Sequence, residues 1–321
     1  MNKNRLPEAE GLLPVLLPPE VLSPVLEANN VLVKRGNVIV LDIPHFSIER
    51  GKHLSLIGPN GAGKSTLLLT LANLLKLQRG SPSGKGEIYF KGNKIDLSHS
   101  TAIAYRRNLS MVFQEPLLFD ATVFDNIASG LKIRGISASE IRHTVNELLE
   151  RFVISHLSNR SARKLSGGEA KRTSLARAFA IKPEILFLDE PFSSLDLPTR
   201  ELLMEDLERN LKEMGTTAIM ATHDQMEAFR LSDYIAVMNQ GKIVQSSTPE
   251  EIINHPINKF VASFMGMETI LMGKVTKTGE KTLTVSVSGN DIDSIGIENI
   301  GETVACCIRL EDVVRINLAK R

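Results

Sequence analysis

The residues Gly58, Pro59, Asn60, Gly61, Ala62, Gly63, Lys64, Ser65 and Thr66 follow an apolar run and lead into a helix-forming one. That spacing turns backbone N–H groups toward a phosphate, and the following helix adds its positive end. Lys64 is placed to reach the terminal phosphates of a nucleotide, Ser65 to ligate Mg²⁺, and Thr66 to bond a phosphate oxygen. Farther along, the apolar run 185–188 ends in Asp189 and Glu190. Two carboxylates at the exposed end of a buried strand are costly without a cation. Asp189 therefore reads as part of a Mg²⁺ shell, and Glu190 as the base that orients and deprotonates an attacking water. Between these segments lies Leu165-Ser166-Gly167-Gly168-Glu169, a second glycine motif opening a helix. A phosphate loop leaves one face of its nucleotide bare, and such a turn suits covering that face on a neighbouring copy. His223 stands in Ala-Thr-His-Asp directly after an expected strand, 217–221.

Local patterns say which elements carry these segments. Strands are expected at 38–41, 46–48 and 53–57, with Arg50-Gly51 as the turn before the last, and Ile57 delivers the chain into the phosphate loop. A helix is expected over 66–77. The stretch 78–85, rich in Gly, Ser and Pro, is expected as a surface loop before a strand at 87–90 and a Gly-Asn turn at 92–93. Residues 121–162 read as helical, notably 139–152 with Ile141, Val145, Leu148 and Leu149 at helical spacing. Alternation of strand and helix through 185–188, 199–214, 217–221, 225–230 and 234–238 predicts an α/β core with a largely parallel sheet. Past Met267 the chain reads as short strands at 271–276, 282–287, 303–308 and 313–317. A tail of roughly 54 residues is marginal as an independent fold.

Composition narrows the class. The length of 321 residues suggests about two domains, and 42% hydrophobic residues suffice for buried cores. A net charge of +1 supplies no large field for nucleic acid or anionic lipid, so no nucleic-acid partner is expected. Cys306 and Cys307 are adjacent, form no disulfide framework, and on a strand would face opposite sides. Nothing approaches the roughly 20 apolar residues of a membrane span, so any pore belongs to another chain. Pro7, Pro14, Pro18, Pro19 and Pro24 punctuate the beginning of the chain. Lys3 and Arg5 ahead of 11–17 have the look of a signal peptide. Pro14, Pro18, Glu8 and Glu10 argue against one, and residues 1–28 are expected as an extended surface arm.

The phosphate loop, the Ser166 motif and the strand ending in Asp189-Glu190, in that order, resemble the ATP-binding-cassette (ABC) ATPases, over about 31–265. The resemblance implies an α/β P-loop NTPase cassette at 29–265 with a helical subdomain at about 115–175. A small all-β, OB-like transport-associated domain would follow at 268–321. By the same resemblance Gln114, in Val-Phe-Gln-Glu-Pro, touches Mg²⁺ and shifts the helical subdomain, and His223 contacts the γ-phosphate. Ser166, Gly167 and Gly168 would meet the γ-phosphate of the opposing subunit's ATP, and Asp196 would communicate across the paired sites. Two ATP molecules are then sandwiched in a homodimer. One position departs from the family: where an aromatic residue stacks on adenine, this chain carries Arg35. A guanidinium plane can also stack on a base.

The implied function is the energising subunit of an ABC importer on the cytoplasmic face of the cell membrane. Its partners would be integral-membrane permease subunits and an extracytoplasmic solute-binding protein. A soluble ABC ATPase acting on DNA or ribosomes would carry long coiled coils or two cassettes, and this chain has one cassette and no heptad run. A ligand-binding tail that regulates the ATPase is compatible with the importer. Residues 107–119 and the tail, with hydroxyls and glycines dense over 269–290, look most like cassettes of molybdate, tungstate and related oxyanion importers. Sugar, polyamine, iron and sulfate cassettes look broadly alike.

Overall fold

Strand β1 (Pro24–Arg35) turns at Gly36 into β2 (Val38–Glu49), and the chain passes through β3 (His53–Ile57) to helix α1 (Lys64–Leu71). Next come β4 (Glu87–Phe90), β5 (Asn93–Lys94), α2 (Ser100–Arg106), β6 (Leu109–Val112), α3 (Val123–Ile133), α4 (Ala138–Arg151) and α5 (Gly167–Ala180). They are followed by β7 (Ile185–Asp189), α6 (Leu197–Met214), β8 (Thr217–Ala221), α7 (Gln225–Leu231), β9 (Tyr234–Asn239) and β10 (Lys242–Ser247). Last among the described residues come α8 (Pro249–Asn254), α9 (Lys259–Phe264), β11 (Thr269–Thr278), β12 (Thr282–Val287), β13 (Asn290–Ile295) and β14 (Thr303–Ile308). This computed structural model describes residues 24–75, 86–96, 100–267, 269–280, 282–296 and 298–308. The expected loop at 78–85, the strand at 313–317 and residues 1–23 lie outside the described residues.

Two compact units divide at Pro249/Glu250. In the first, a six-stranded sheet runs in the order β10-β9-β3-β8-β7-β6, parallel apart from the hairpin strand β10. Its central strands are largely apolar because both faces are covered, with buried Ser55 of β3 sharing a hydrogen bond with the Ser232 hydroxyl. Along β7, Ile185 and Phe187 enter one core cluster while Leu186 and Leu188 enter the other. Ile219 and Ala221 of β8 divide from Ala218 and Met220 in the same way. One cluster lies under the antiparallel sheet β2-β1-β4-β5 and α1, the other under α3 to α6. The second unit, taken by itself, has an antiparallel sheet in the order β13-β12-β11-β14 around a small core of Val275, Leu283, Val285 and Cys306.

Several expectations need correction. Residues 24–28, expected within a surface arm, belong instead to β1, where Val25, Leu26 and Ala28 are buried in the core. The strands expected at 38–41 and 46–48 are one strand, held throughout by its pairing with β1. The helix after the phosphate loop begins at Lys64 and stops at Leu71, because Asn73 takes φ 54° and two N–H groups close back on the Leu69 carbonyl. The helical stretch 121–162 breaks at Gly135, φ 71°, with Ser137 capping the next helix. Strand β13 was not expected at all; Ser288-Gly289, both at positive φ, forms the turn into it.

Candidate functional site

Four neighbouring parallel strands end in the residues singled out for chemistry. The order β3-β8-β7-β6 sets side by side the phosphate loop after Ile57, His223 after β8, Asp189 and Glu190 at the end of β7, and Gln114 after β6. This carboxyl edge is where open α/β sheets take ligands, since the chain there turns from strand to helix and leaves polar groups unpaired.

Glu190 stands at the centre of the row. Its Oε1 lies 3.3 Å from His223 Nδ1, and its Oε2 accepts a hydrogen bond of 3.3 Å from Gln114 Nε2. The backbone sits in the left-handed region at φ 44°, which costs a non-glycine residue on the order of 1 kcal/mol. Its surroundings hold it there. The Glu190 N–H donates to the Ala221 carbonyl at 2.9 Å, and the Glu190 carbonyl accepts from the N–H and hydroxyl of Ser193. A carboxylate between an imidazole and an amide, facing a phosphate loop, can take a proton from an attacking water.

The Ser65 hydroxyl donates to Asp189 Oδ1 at 2.8 Å. Burial raises the Asp189 pKa; the Ser65 hydrogen bond opposes that shift and the Glu190 charge adds to it. Lys64, 6% exposed, donates to the carbonyls of Gly58 (2.7 Å) and Pro59 (3.1 Å). Burial lowers its pKa, against the pull of Glu190 and Asp189. Resting on its own loop, this ammonium is available to an anion with stronger acceptors than a carbonyl. Helix α1 has no side-chain cap and no acid in its first turn. Helices α3, α4, α5 and α6 are capped by Thr122, Ser137, Ser166 and Asp196. The free N–H groups of α1 suit a phosphate, and the oxygens of Ser65, Asp189 and Gln114 suit a hard cation such as Mg²⁺. The residues present fit both groups.

Residues outside the motifs hold this row in place. Gly241, at φ 79°, donates its N–H to the Ala62 carbonyl at 2.9 Å and accepts from the Asp42 N–H at 2.9 Å. A Cβ there would collide with the Val40 carbonyl. The signal available for it was a Gln-Gly turn between two strands. Asp224 caps α7 and pairs with Arg200 of α6 at 2.7 Å, while buried Glu227 accepts from the Thr222 hydroxyl and lies 3.5 Å from Arg200. The His223 turn is thereby tied to α6.

The other expected site residues are placed apart from the row. Ser166 forms a capping box with Glu169, accepting its N–H at 3.3 Å while Glu169 Oε2 accepts the Ser166 N–H at 2.7 Å. Among the described residues no hydrogen bond or ion pair joins Ser166 to Glu169, or the glycines between them, to the phosphate loop of the same chain. A Cβ on Gly168 would meet Thr199 at 2.7 Å, whereas Gly167 faces open space. Asp196 accepts the Thr199 N–H as the cap of α6, and that bonding holds its carboxyl below the ordinary range. Arg35 is exposed at the β1–β2 turn, paired with Val38. Strand β2 itself reaches the phosphate loop: a Cβ on Gly63 would lie 2.7 Å from Leu41 and 3.3 Å from the Val40 carbonyl. Val38 and Ile39 beside it are exposed apolar residues.

Residues 41–193 match the family model described as ABC transporter. Among solved structures the chain is similar to cbiO1 from Clostridium perfringens, described as part of the ABC transporter complex cbiONQ. The TM-score is 0.66 at 29% identity, covering 77% of this chain and 96% of that one. It is also similar to a dimeric post-hydrolysis structure of the ATP-binding cassette MJ0796 bound to ADP and Pi. There the TM-score is 0.62 at 28% identity, covering 70% of this chain and 98% of that one. The fold is a mixed α/β P-loop NTPase cassette of the ABC type with a helical subdomain, followed by an all-β region of antiparallel strands.

Proposed function

We propose that this chain is the ATP-hydrolysing subunit of an ABC importer, closing as a homodimer around two ATP. The observation that carries the hydrolytic part is Glu190, held at positive φ between His223 and Gln114 in the same row as Lys64, Ser65 and Asp189. Glu190 takes a proton from water, the water oxygen bonds to the γ-phosphorus, and the bond from that phosphorus to the β–γ bridging oxygen breaks to leave ADP and phosphate. His223 and Lys64 hold the γ-phosphate, and the α1 N-terminus holds the phosphates behind it. Ser65, Asp189 and Gln114 would hold Mg²⁺, which when bound would supply charge neutralisation on the phosphate oxygens. Arg35 stacks on the base. Glu190→Gln should keep ATP affinity and lower turnover by about 10²–10⁴-fold, trapping a dimer with two ATP. Near wild-type hydrolysis by the purified variant would remove Glu190 from the role of base.

The dimer is supported by a Ser166 turn with no bond to its own phosphate loop, and by the dimeric state named for MJ0796. In that arrangement Ser166, Gly167 and Gly168 face the partner copy's ATP, and Asp196 lies between the paired sites. Integral-membrane permease subunits and an extracytoplasmic binding protein complete the importer. This chain is peripheral on the cytoplasmic face; no helix among its described residues is long and apolar enough to cross a membrane. The solute is an oxyanion such as molybdate or tungstate, on the likeness of residues 107–119 and of the tail. Calorimetry of the full chain with molybdate, tungstate, sulfate and phosphate tests the tail as an oxyanion-binding regulatory domain. Heat with none of the four would sink that part of the reading.

A further inference from the structure

Helix α5 begins at the Ser166 turn, and its fifth residue, Lys171, points back into the catalytic row of its own chain. The residue is 4% exposed. Its Nζ donates to the carbonyl of Gln114 and lies 3.5 Å from the carbonyl of Glu190. Those are the two residues whose side chains meet at 3.3 Å. Among the described residues Lys171 forms no ion pair, so its buried charge is matched only by main-chain oxygens and by the more distant carboxylates of Glu190, Asp189 and Glu227. Burying an ammonium without a paired carboxylate is costly, and an apolar side chain of similar length would fill the space at lower cost. What the ammonium adds is geometry. One group with three donors clamps the segment after β6 to the segment after β7 and ties both to α5.

We propose that Lys171 is a positioning residue for ATP hydrolysis, fixing the main chains of Gln114 and Glu190 so that the Glu190 carboxylate stays aimed at the attacking water. The proposal rests on the ATPase reading above. Lys171 makes no approach to the phosphate loop through any described hydrogen bond, so its loss should act on the chemical step and leave nucleotide binding alone. A carboxylate displaced by about 1 Å can cost on the order of 10²-fold in rate.

The test is the full chain with Lys171→Met and Lys171→Arg, measuring MgATP affinity, steady-state hydrolysis and thermal melting together. Expected for Lys171→Met is a Kd within about threefold of wild type and a kcat at least about thirtyfold lower, with Lys171→Arg recovering a large part of the rate. Should the methionine variant not fold, Lys171→Gln takes its place. Its amide is one atom shorter and reaches at most one of the two carbonyls, so kcat should fall at least about tenfold with affinity kept. A wild-type kcat in these variants overturns the proposal. So does a parallel loss of affinity, rate and melting temperature that arginine does not rescue, which marks Lys171 as merely structural. A wild-type protein that binds ATP and does not hydrolyse it overturns the ATPase reading, and this inference with it.

Discussion

At the scale of single residues, the candidate site holds charged groups where water reaches them poorly. Asp189, Lys64 and Glu227 are all shifted by burial, the acids upward and the lysine downward. Glu227 gives the cleanest consequence, because it is 3% exposed and holds the His223 turn through Thr222 and Arg200. Burial lifts its carboxyl above the ordinary value of 4.5, with Arg200 pulling the other way. A carboxyl raised in the folded state contributes stability below its unfolded pKa and loses that contribution as pH rises through the folded one. Glu227→Gln keeps the hydrogen-bonding shape and does not ionise. Its melting temperature relative to wild type should therefore climb between pH 4.5 and pH 7.5, the lower value being the ordinary carboxyl one. A difference in melting temperature that stays constant or shrinks over that window would contradict the burial of this acid.

At the scale of elements, strand ends carry the candidate site and a hairpin supports it. The β9–β10 turn reaches the phosphate loop through the Gly241 N–H to the Ala62 carbonyl, and reaches β2 through Asp42. Gly241→Ala forces a side chain onto φ 79° and against the Val40 carbonyl. It should cost about 1–3 kcal/mol of stability and weaken ATP binding about tenfold. Gly215, the αL cap of α6, supplies the control, since a Cβ there meets nothing within 4 Å. Gly215→Ala should cost about 1 kcal/mol of stability while ATP affinity stays unchanged. Equal affinities in the two variants would show that the hairpin does not support the loop.

For the whole molecule, the Ser166 turn and the phosphate loop belong to one chain and share no bond among the described residues. On the dimer proposal each working site is built from two copies. Ser166→Arg and Lys64→Ala, each inactive alone, should then regain hydrolysis when mixed, because one of the two sites in the mixed dimer is intact. With strict alternation of sites the ceiling is lower, so the measure is activity above the sum of the separate variants. Additive behaviour, together with hydrolysis independent of protein concentration, would count against composite sites.

The residues alone point to a chemistry wherever the groups it needs lie close together in the chain. The phosphate loop, the Asp189-Glu190 pair and the Ser166 turn are each confined to a few consecutive residues, and the buried strands announce themselves as short, mostly apolar runs. Composition and periodicity were likewise enough for an α/β core followed by short strands. Only tertiary structure decided that β8 and β6 flank β7, which brings His223 beside Glu190 across 33 positions of sequence and Gln114 beside it across 76. Strand order depends on which apolar faces pack together, and no local spacing records that. The same holds for Lys171, which reads as one more charge on a helix face until the fold buries it, and for Pro24 to Ala28, whose single proline and short apolar run hide a core strand until β2 and β4 pair on either side. Motifs report what a segment can bind; packing decides which segments meet.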